Sequence, residues 1–310
     1  MARYLPIPGG WYNGDSMRRM HLGVRTDVTR SGFPVAHKLS FGWVLHQHQP
    51  VGNFPWVFAQ VYDVCYAPLL DLFERHPLAR VTLHYSGPLL DWLLEEHPDY
   101  VARVAALVAR GQVEMLTGGY YEPILPILPT FDQHGQITKM NAAIRRHFGY
   151  DPTGLWLTER VWEPTLPSAL ASAGVRYTIL DDTHFIMAGL TSDELYGYYM
   201  TEDQGHPLRL FPNPKVIRDA IPWRSVRAVE AEFRRIYDEA QGAPRVVVLG
   251  DDGEKFGSWP DTYDRLWRRG YMDRLLAMLE ANRDWLEMVH LSEYTQREAP
   301  LGRVYVPTAS

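Results

Sequence analysis

Cysteine is nearly missing. Cys65 stands alone among 310 residues, so no disulfide can form within the chain, and a zinc site built from cysteines is excluded. A reducing compartment suits such a chain, and the reading is cytoplasmic. Long apolar runs are missing too, so neither a secretory leader nor a membrane span fits the sequence, the arginine-bearing first forty residues included. Basic charge has no surplus: 31 Lys and Arg stand against 37 Asp and Glu, with no basic stripe to neutralise phosphates, which makes nucleic acid a poor partner. No phosphate-cradling glycine loop, internal repeat, low-complexity tract or Pro/Gly/Ser linker interrupts the chain after residue 39.

What is present is a globular composition, 46% hydrophobic and 22% charged, long enough to build one barrel-sized core or two smaller ones. Short apolar runs at 40–46, 79–85, 112–118, 154–159, 176–182, 208–212, 245–252 and 287–294 read as strands. Several are continuously apolar, as in parallel sheets covered on both faces. Between them lie amphipathic patterns at about 56–73, 98–110, 131–148, 226–240 and 263–280. In "DYVARVAALVARG", Val101, Val104, Ala105 and Val108 keep helical spacing, with Pro98 near the start and Gly111 after the end. Alternating β and α units predict an α/β fold of (β/α)-barrel type, with an open doubly wound sheet as the runner-up. Residues 39–310 form the catalytic domain in this reading. Residues 1–38 form an N-terminal extension, either mobile or a product of start-site choice, Met17 and Met20 being alternative starts. The final "GRVYVPTAS" reads as the beginning of another element, so the chain is expected to be a fragment.

Polar clusters fall at the C-terminal ends of the strands, the face on which a (β/α) barrel carries its active site. "HQHQP" follows the first strand and sets His46 and His48 two residues apart, on one side of an extended chain. His84 ends the second strand, where a satisfied core histidine is the commoner outcome. "TGGYYEP" follows the third and presents rings beside Glu122, a mixture suited to sugars. "GLWLTERVWEP" ends the fourth, placing Glu159 and Arg160 at the mouth near Trp156 and Trp162. "DDTHF" gives Asp181, Asp182 and His184, and "GDDGEKFGSWP" gives Asp251, Asp252, Glu254, Lys255 and Trp259. Two carboxylates from different strands in an aromatic cleft are the minimum equipment for glycoside chemistry, and a separation of about 5–5.5 Å would make it retaining. Glu159 and Asp252 are the natural pair, with Arg160 expected to hold Glu159 ionised.

"HQHQP" at 46–50, "GQVEMLTGGYYEPILP" at 111–126, "WLTERVWEP" at 156–164 and "DDGEKFGSWP" at 251–260 resemble four of the five sequence regions of glycoside hydrolase family 57, in order and rough spacing. Its 4-α-glucanotransferase and α-amylase-like members are the closest in pattern, and the similarity runs through residues 39–310. The resemblance implies an incomplete (β/α)7 barrel followed by a helical region, of which this chain would lack part, the fifth sequence region included. It implies a retaining enzyme without a cofactor or metal, acting on α-1,4-glucans or maltooligosaccharides. Glu159 would be the nucleophile and Asp252 the general acid/base. His46, His48, Glu122, Trp156, Arg160, Asp182, His184, Asp251, Lys255 and Trp259 would bind substrate. Gly250 departs from the pattern, since the closest members place a histidine there. Glu122 in "YEP" favours the transferase over the amylase. From outside this class, the alternatives are a metal-dependent deacetylase or mannosidase using His46, His48 and an aspartate, and an inactive glucan-binding module. The sequence leaves the oligomeric state open.

Overall fold

A computed structural model describes residues 37–310, so the expectation for the N-terminal extension lies almost wholly outside the described residues. Ten strands follow in chain order: β1 (Leu39–Gln47), β2 (Val81–Tyr85), β3 (Val113–Met115), β4 (Gly154–Leu155), β5 (Tyr177–Asp181), β6 (Tyr199–Asp203), β7 (His206–Asn213), β8 (Arg245–Asp252), β9 (Leu286–Met288) and β10 (Gly302–Arg303). Parallel ladders run β8-β1-β2-β3 and β4-β5-β7. A parallel bridge between Thr117 and Leu155 joins β3 to β4, and the result is a (β/α)7 barrel. No backbone ladder joins β7 to β8 among the described residues. The Asn213 side chain spans that seam instead: its Oδ1 accepts from the Gly250 N–H at 3.0 Å, and its Nδ2 donates to the Gly250 carbonyl at 2.8 Å.

Alternation along each strand sorts the core into an inside and an outside. Phe41, Trp43 and Leu45 of β1, Val81 and Leu83 of β2, and Val247 and Leu249 of β8 pack outward against helices. Leu155, Leu180 and Leu210 do the same on the other half of the wall. Val44, Leu116, Trp156, Tyr177, Ile179, Phe211, Val246 and Val248 fill the interior together with Val289, Leu291 and Tyr294. β9 pairs with the start of β1 at Leu39–Phe41, so these last three residues plug the end opposite the mouth.

Helices form where the amphipathic patterns lie at Pro98–Ala109, Thr130–Phe148 and Val226–Glu239, whereas the pattern at 263–280 divides at Gly270, φ 64°, into a π-type turn at Asp264–Arg268 and a helix at Tyr271–Ala281. The expected helix at 56–73 is interrupted by a wide turn at Tyr62–Tyr66 between Pro55–Val61 and Ala67–Arg75; such π-type turns re-aim side chains and recur at functional sites. Two strands escaped the sequence reading. β6 joins β7 through a tight hairpin in which Gln204 and Gly205 both take positive φ, 50° and 78°, and β10 pairs with β6. The run at 287–294 is strand only to Met288. Leu291–Arg297 is a helix because Leu291 and Tyr294, three apart, are the residues it buries.

Candidate active site

Strand register sets one layer of the mouth. His46 lies level with His84 on one side and Asp252 on the other, and Asp181 lies level with Asn213. All five share the parity of the interior residues Val44, Val248, Ile179 and Phe211, so they face inward. Trp156, next along from the outward-facing Leu155, stacks on His46 with ring centroids 4.7 Å apart and planes 9° from parallel. The loops above bring His48, Glu122, Glu159 and Arg160 onto this layer. Glu122, Glu159 and Arg160 take φ of 54°, 50° and 55°, a region that costs non-glycine residues about 1–3 kcal/mol each and that gathers at functional sites.

One half of the mouth is a histidine–carboxylate chain. His46 Nδ1 lies 2.8 Å from His84 Nδ1, His46 Nε2 lies 3.2 Å from Glu122 Oε1, and His48 Nδ1 contacts Glu122 Oε2. Burial holds both His46 and His84 well below the ordinary histidine range, His84 at about 3, so both rings are neutral near pH 7. With both rings neutral, one Nδ1 donates to the other, and the contact of His46 Nε2 with Glu122 Oε1 is a close approach that lacks hydrogen-bond geometry. His48 is pulled the other way: burial lowers its pKa, but the hydrogen bond and charge of Glu122, with Glu254 and Asp252 beyond, raise it overall. Burial raises Glu122, and His48 opposes the rise. Gly118 is required beneath this chain, because a Cβ there would sit 2.4 Å from His84 Nε2.

The other half carries the two expected catalytic carboxylates. Glu159 is exposed at the rim, while Asp252 is mostly buried. Burial, followed by repulsion from Asp251, pushes Asp252 upward; Arg160 and Arg218 pull it down, and Glu159 adds a smaller push. The expectation that Arg160 serves Glu159 is corrected here. Arg160 donates through Nε to Asp181 at 2.8 Å and lies over the Trp156 ring at 5.3 Å. Its positive φ turns the guanidinium inward, toward the acid at the same level.

Several other expected substrate contacts face away from the cleft. Asp251 has the outward parity of Leu249 and is 1% exposed; it pairs with Lys255, 3% exposed, and with Arg218 at 3.5 Å. Lys255 also donates to the Arg218 carbonyl at 2.6 Å. Asp182, likewise outward, accepts from the Lys215 N–H at 3.0 Å, and buried His184 sits 3.1 Å from the Arg160 carbonyl through Nε2. These four hold loops in place. Trp259 stands at the rim, 37% exposed.

The layer recruits Asn213, which the sequence reading did not name, and His84, Asp181 and Glu254, which it named in the strand-end clusters without a substrate role. Period-two counting from Val44, Ile179 and Val248 would have selected Asp181 over Asp182 and marked His84 as inward. Glu254 is half-buried, accepts from the His48 N–H at 3.0 Å and from the Tyr66 hydroxyl, and is lifted by desolvation to about 7. Tyr66 reaches it from the π-type turn.

For a metal, His46, His84 and Glu122 offer ligand atoms within 4.8 Å of one another. His46 Nδ1 is already engaged with His84 Nδ1, and the 2.8 Å between them is a hydrogen bond that a shared ion would have to open. His48 is not one of those three; it stacks on His46 with ring centroids 5.5 Å apart and meets Glu122 through the other carboxylate oxygen.

The model of Glycosyl hydrolase family 57 matches residues 42–307. Alpha-amylase 1 of Dictyoglomus thermophilum is 42% identical over 270 residues, 87% of this chain and 39% of that protein. The 4-alpha-glucanotransferase of Thermococcus litoralis is 39% identical over 273 residues, 88% of this chain and 41% of that protein. The crystal structure of that transferase superposes with a TM-score of 0.85 over 88% of this chain and 42% of its own. The chain therefore spans about two fifths of the length of the relatives it matches. With the family model matching residues 42–307 and relatives about 40% identical over most of its length, the chain belongs to Glycosyl hydrolase family 57.

Proposed function

We propose that the chain is the catalytic barrel of a retaining 4-α-glucanotransferase acting on α-1,4-glucans, with Glu159 as nucleophile and Asp252 as general acid/base. The observation that carries this is the unlike setting of two carboxylates at one mouth: Asp252 is half-buried, with its pKa raised by desolvation and by Asp251, and Glu159 is exposed. Asp252 donates its proton to the glycosidic oxygen as Glu159 attacks C1; the C1–O bond breaks and a β-glucosyl ester forms on Glu159. Arg160 and Arg218 then stabilise the Asp252 carboxylate. In the second half, Asp252 takes the proton from the 4-hydroxyl of an incoming glucan, which attacks C1 and releases Glu159. The Trp156 face and the His46–Glu122–His48 chain supply a platform and hydroxyl partners for the bound sugar. Water in place of the acceptor would give amylase chemistry, and the relatives carry both names.

Incubation with maltotriose tests the reading: longer maltooligosaccharides are expected, whereas glucose and maltose alone would make the enzyme a hydrolase. Glu159→Gln is expected to cut turnover by at least about 1000-fold while oligosaccharide binding survives. Full glucan turnover in Asp252→Asn would overturn the acid/base assignment. Because the Asp252 pKa is raised, the alkaline limb of kcat/KM should lie above the ordinary aspartate range, and a profile limited by a group near 4 would contradict it.

A further inference from the structure

Three successive residues of the wide turn at Tyr62–Tyr66 touch the short loop that follows Asp252. Val64 presents its carbonyl to Gly257, which takes φ of 151° and where a Cβ would lie 1.9 Å from that oxygen. Only glycine lets the two backbones come so close. Cys65 Sγ donates to the Gly253 carbonyl at 2.8 Å. The Tyr66 hydroxyl, kept protonated by burial and by the Glu254 charge, donates to Glu254.

The same hydroxyl ties that loop to the end of β1. It lies 3.1 Å from the His48 carbonyl and accepts from Gln49 Nε2 at 3.1 Å, while Glu254 accepts from the His48 N–H at 3.0 Å. Tyr66 and Gln49 are both buried, so water competes little for these bonds. Asp252 depends on such a brace. No side chain of the described residues hydrogen-bonds its carboxylate, and its own N–H donates to Asp251 Oδ1 at 3.0 Å. Backbone therefore sets its aim, through the ladder that holds it level with His46 on one side and the loop at Gly253–Phe256 on the other. The wide turn fixes the second of these.

On the assignment of Asp252 as general acid/base, we propose that Tyr66 is a positioning residue: it holds the loop after β8 and so aims the Asp252 proton at the glycosidic oxygen. Kinetics of the 310-residue chain on maltotriose and on α-maltosyl fluoride test it. A sugar oxygen needs a proton to leave, whereas fluoride leaves as the anion, so a misplaced acid penalises the first substrate and spares the second. In Tyr66→Phe, kcat/KM for maltotriose is expected to fall by about tenfold or more. For fluoride release, kcat/KM reports formation of the glycosyl-enzyme alone and should fall by less than about threefold. The ratio of the two losses is independent of the fraction of folded enzyme, because partial unfolding lowers both alike. Asp252→Asn should show the same split more strongly, and adding Tyr66→Phe to it should change the maltotriose rate little. An unchanged maltotriose rate in Tyr66→Phe, an equal loss on both substrates, or a full further loss in the Asp252→Asn background would overturn the proposal. Absence of the split in Asp252→Asn would instead sink the acid/base assignment, and this proposal with it.

Discussion

At the scale of single residues, the mouth works by keeping like groups in unlike surroundings. His46 and His84 are neutral because they are buried together, whereas His48, two positions along the same chain, is drawn toward its charged form by Glu122. No motif encodes that split, since it arises from which neighbour each ring meets. Glu254 shows the consequence for stability. Its folded pKa of about 7 exceeds the usual 4.5, so between those values the folded chain keeps a proton that the unfolded chain has released. The contribution of Glu254 to stability therefore falls as pH rises through that window and levels off above about 7, against the opposite slope of His46 and His84, whose rings take up protons on unfolding below about 6.5. Glu254→Gln keeps an acceptor for His48 and Tyr66 and removes the titration. In denaturant unfolding, the stability of this variant relative to the parent is expected to grow between pH 5 and 7, reaching a gain of about 1–3 kcal/mol at pH 8; a difference that does not change with pH would mean that Glu254 does not titrate there.

At the scale of elements, parity decides roles that composition left undecided. Adjacent aspartates at the ends of β5 and β8 look equivalent in sequence, yet one of each pair enters the mouth and the other anchors the wall. Asp252 follows Val248 and Gly250 inward, and Asp251 follows Leu249 outward to meet Lys255 and Arg218. Asp251→Asn leaves the Lys255 ammonium buried with only the Arg218 carbonyl, and should destabilise the barrel by about 3–5 kcal/mol in urea unfolding. Asp252→Asn relieves a half-buried carboxylate and should cost little stability while suppressing turnover. Equal stability losses in the two variants would contradict the parity assignment. The strands, the helices and the clusters at their ends were legible in the sequence because periodicity and turn chemistry are local. The π-type turn that delivers Tyr66, the β6–β7 hairpin and the helix after β9 were not, because neighbours distant in the chain select them over equally plausible local states.

At the scale of the whole molecule, the barrel is closed on one side by a side chain instead of a ladder. Asn213 satisfies both backbone groups of Gly250, and a Cβ at Gly250 would meet only ordinary contacts, 3.5 Å from Ile179 and from Trp156. Asn213→Leu should therefore expose or orphan the Gly250 amide, costing about 1–3 kcal/mol and accelerating hydrogen exchange at Gly250 and Asp251 well beyond that of β1. Gly250→Ala should be nearly neutral for folding. The sequence by itself determined the class of fold and the strand-end clusters from which the two proposed catalytic carboxylates are drawn, because strand period and motif content are written residue by residue. Only the tertiary structure decided that Arg160 serves Asp181 and Asp252, that Asp251, Lys255, Asp182 and His184 are wall and loop anchors, and that His84 and Glu254 join the mouth. Charge pairing and burial depend on which strands lie side by side, and that adjacency exists only once the barrel has closed.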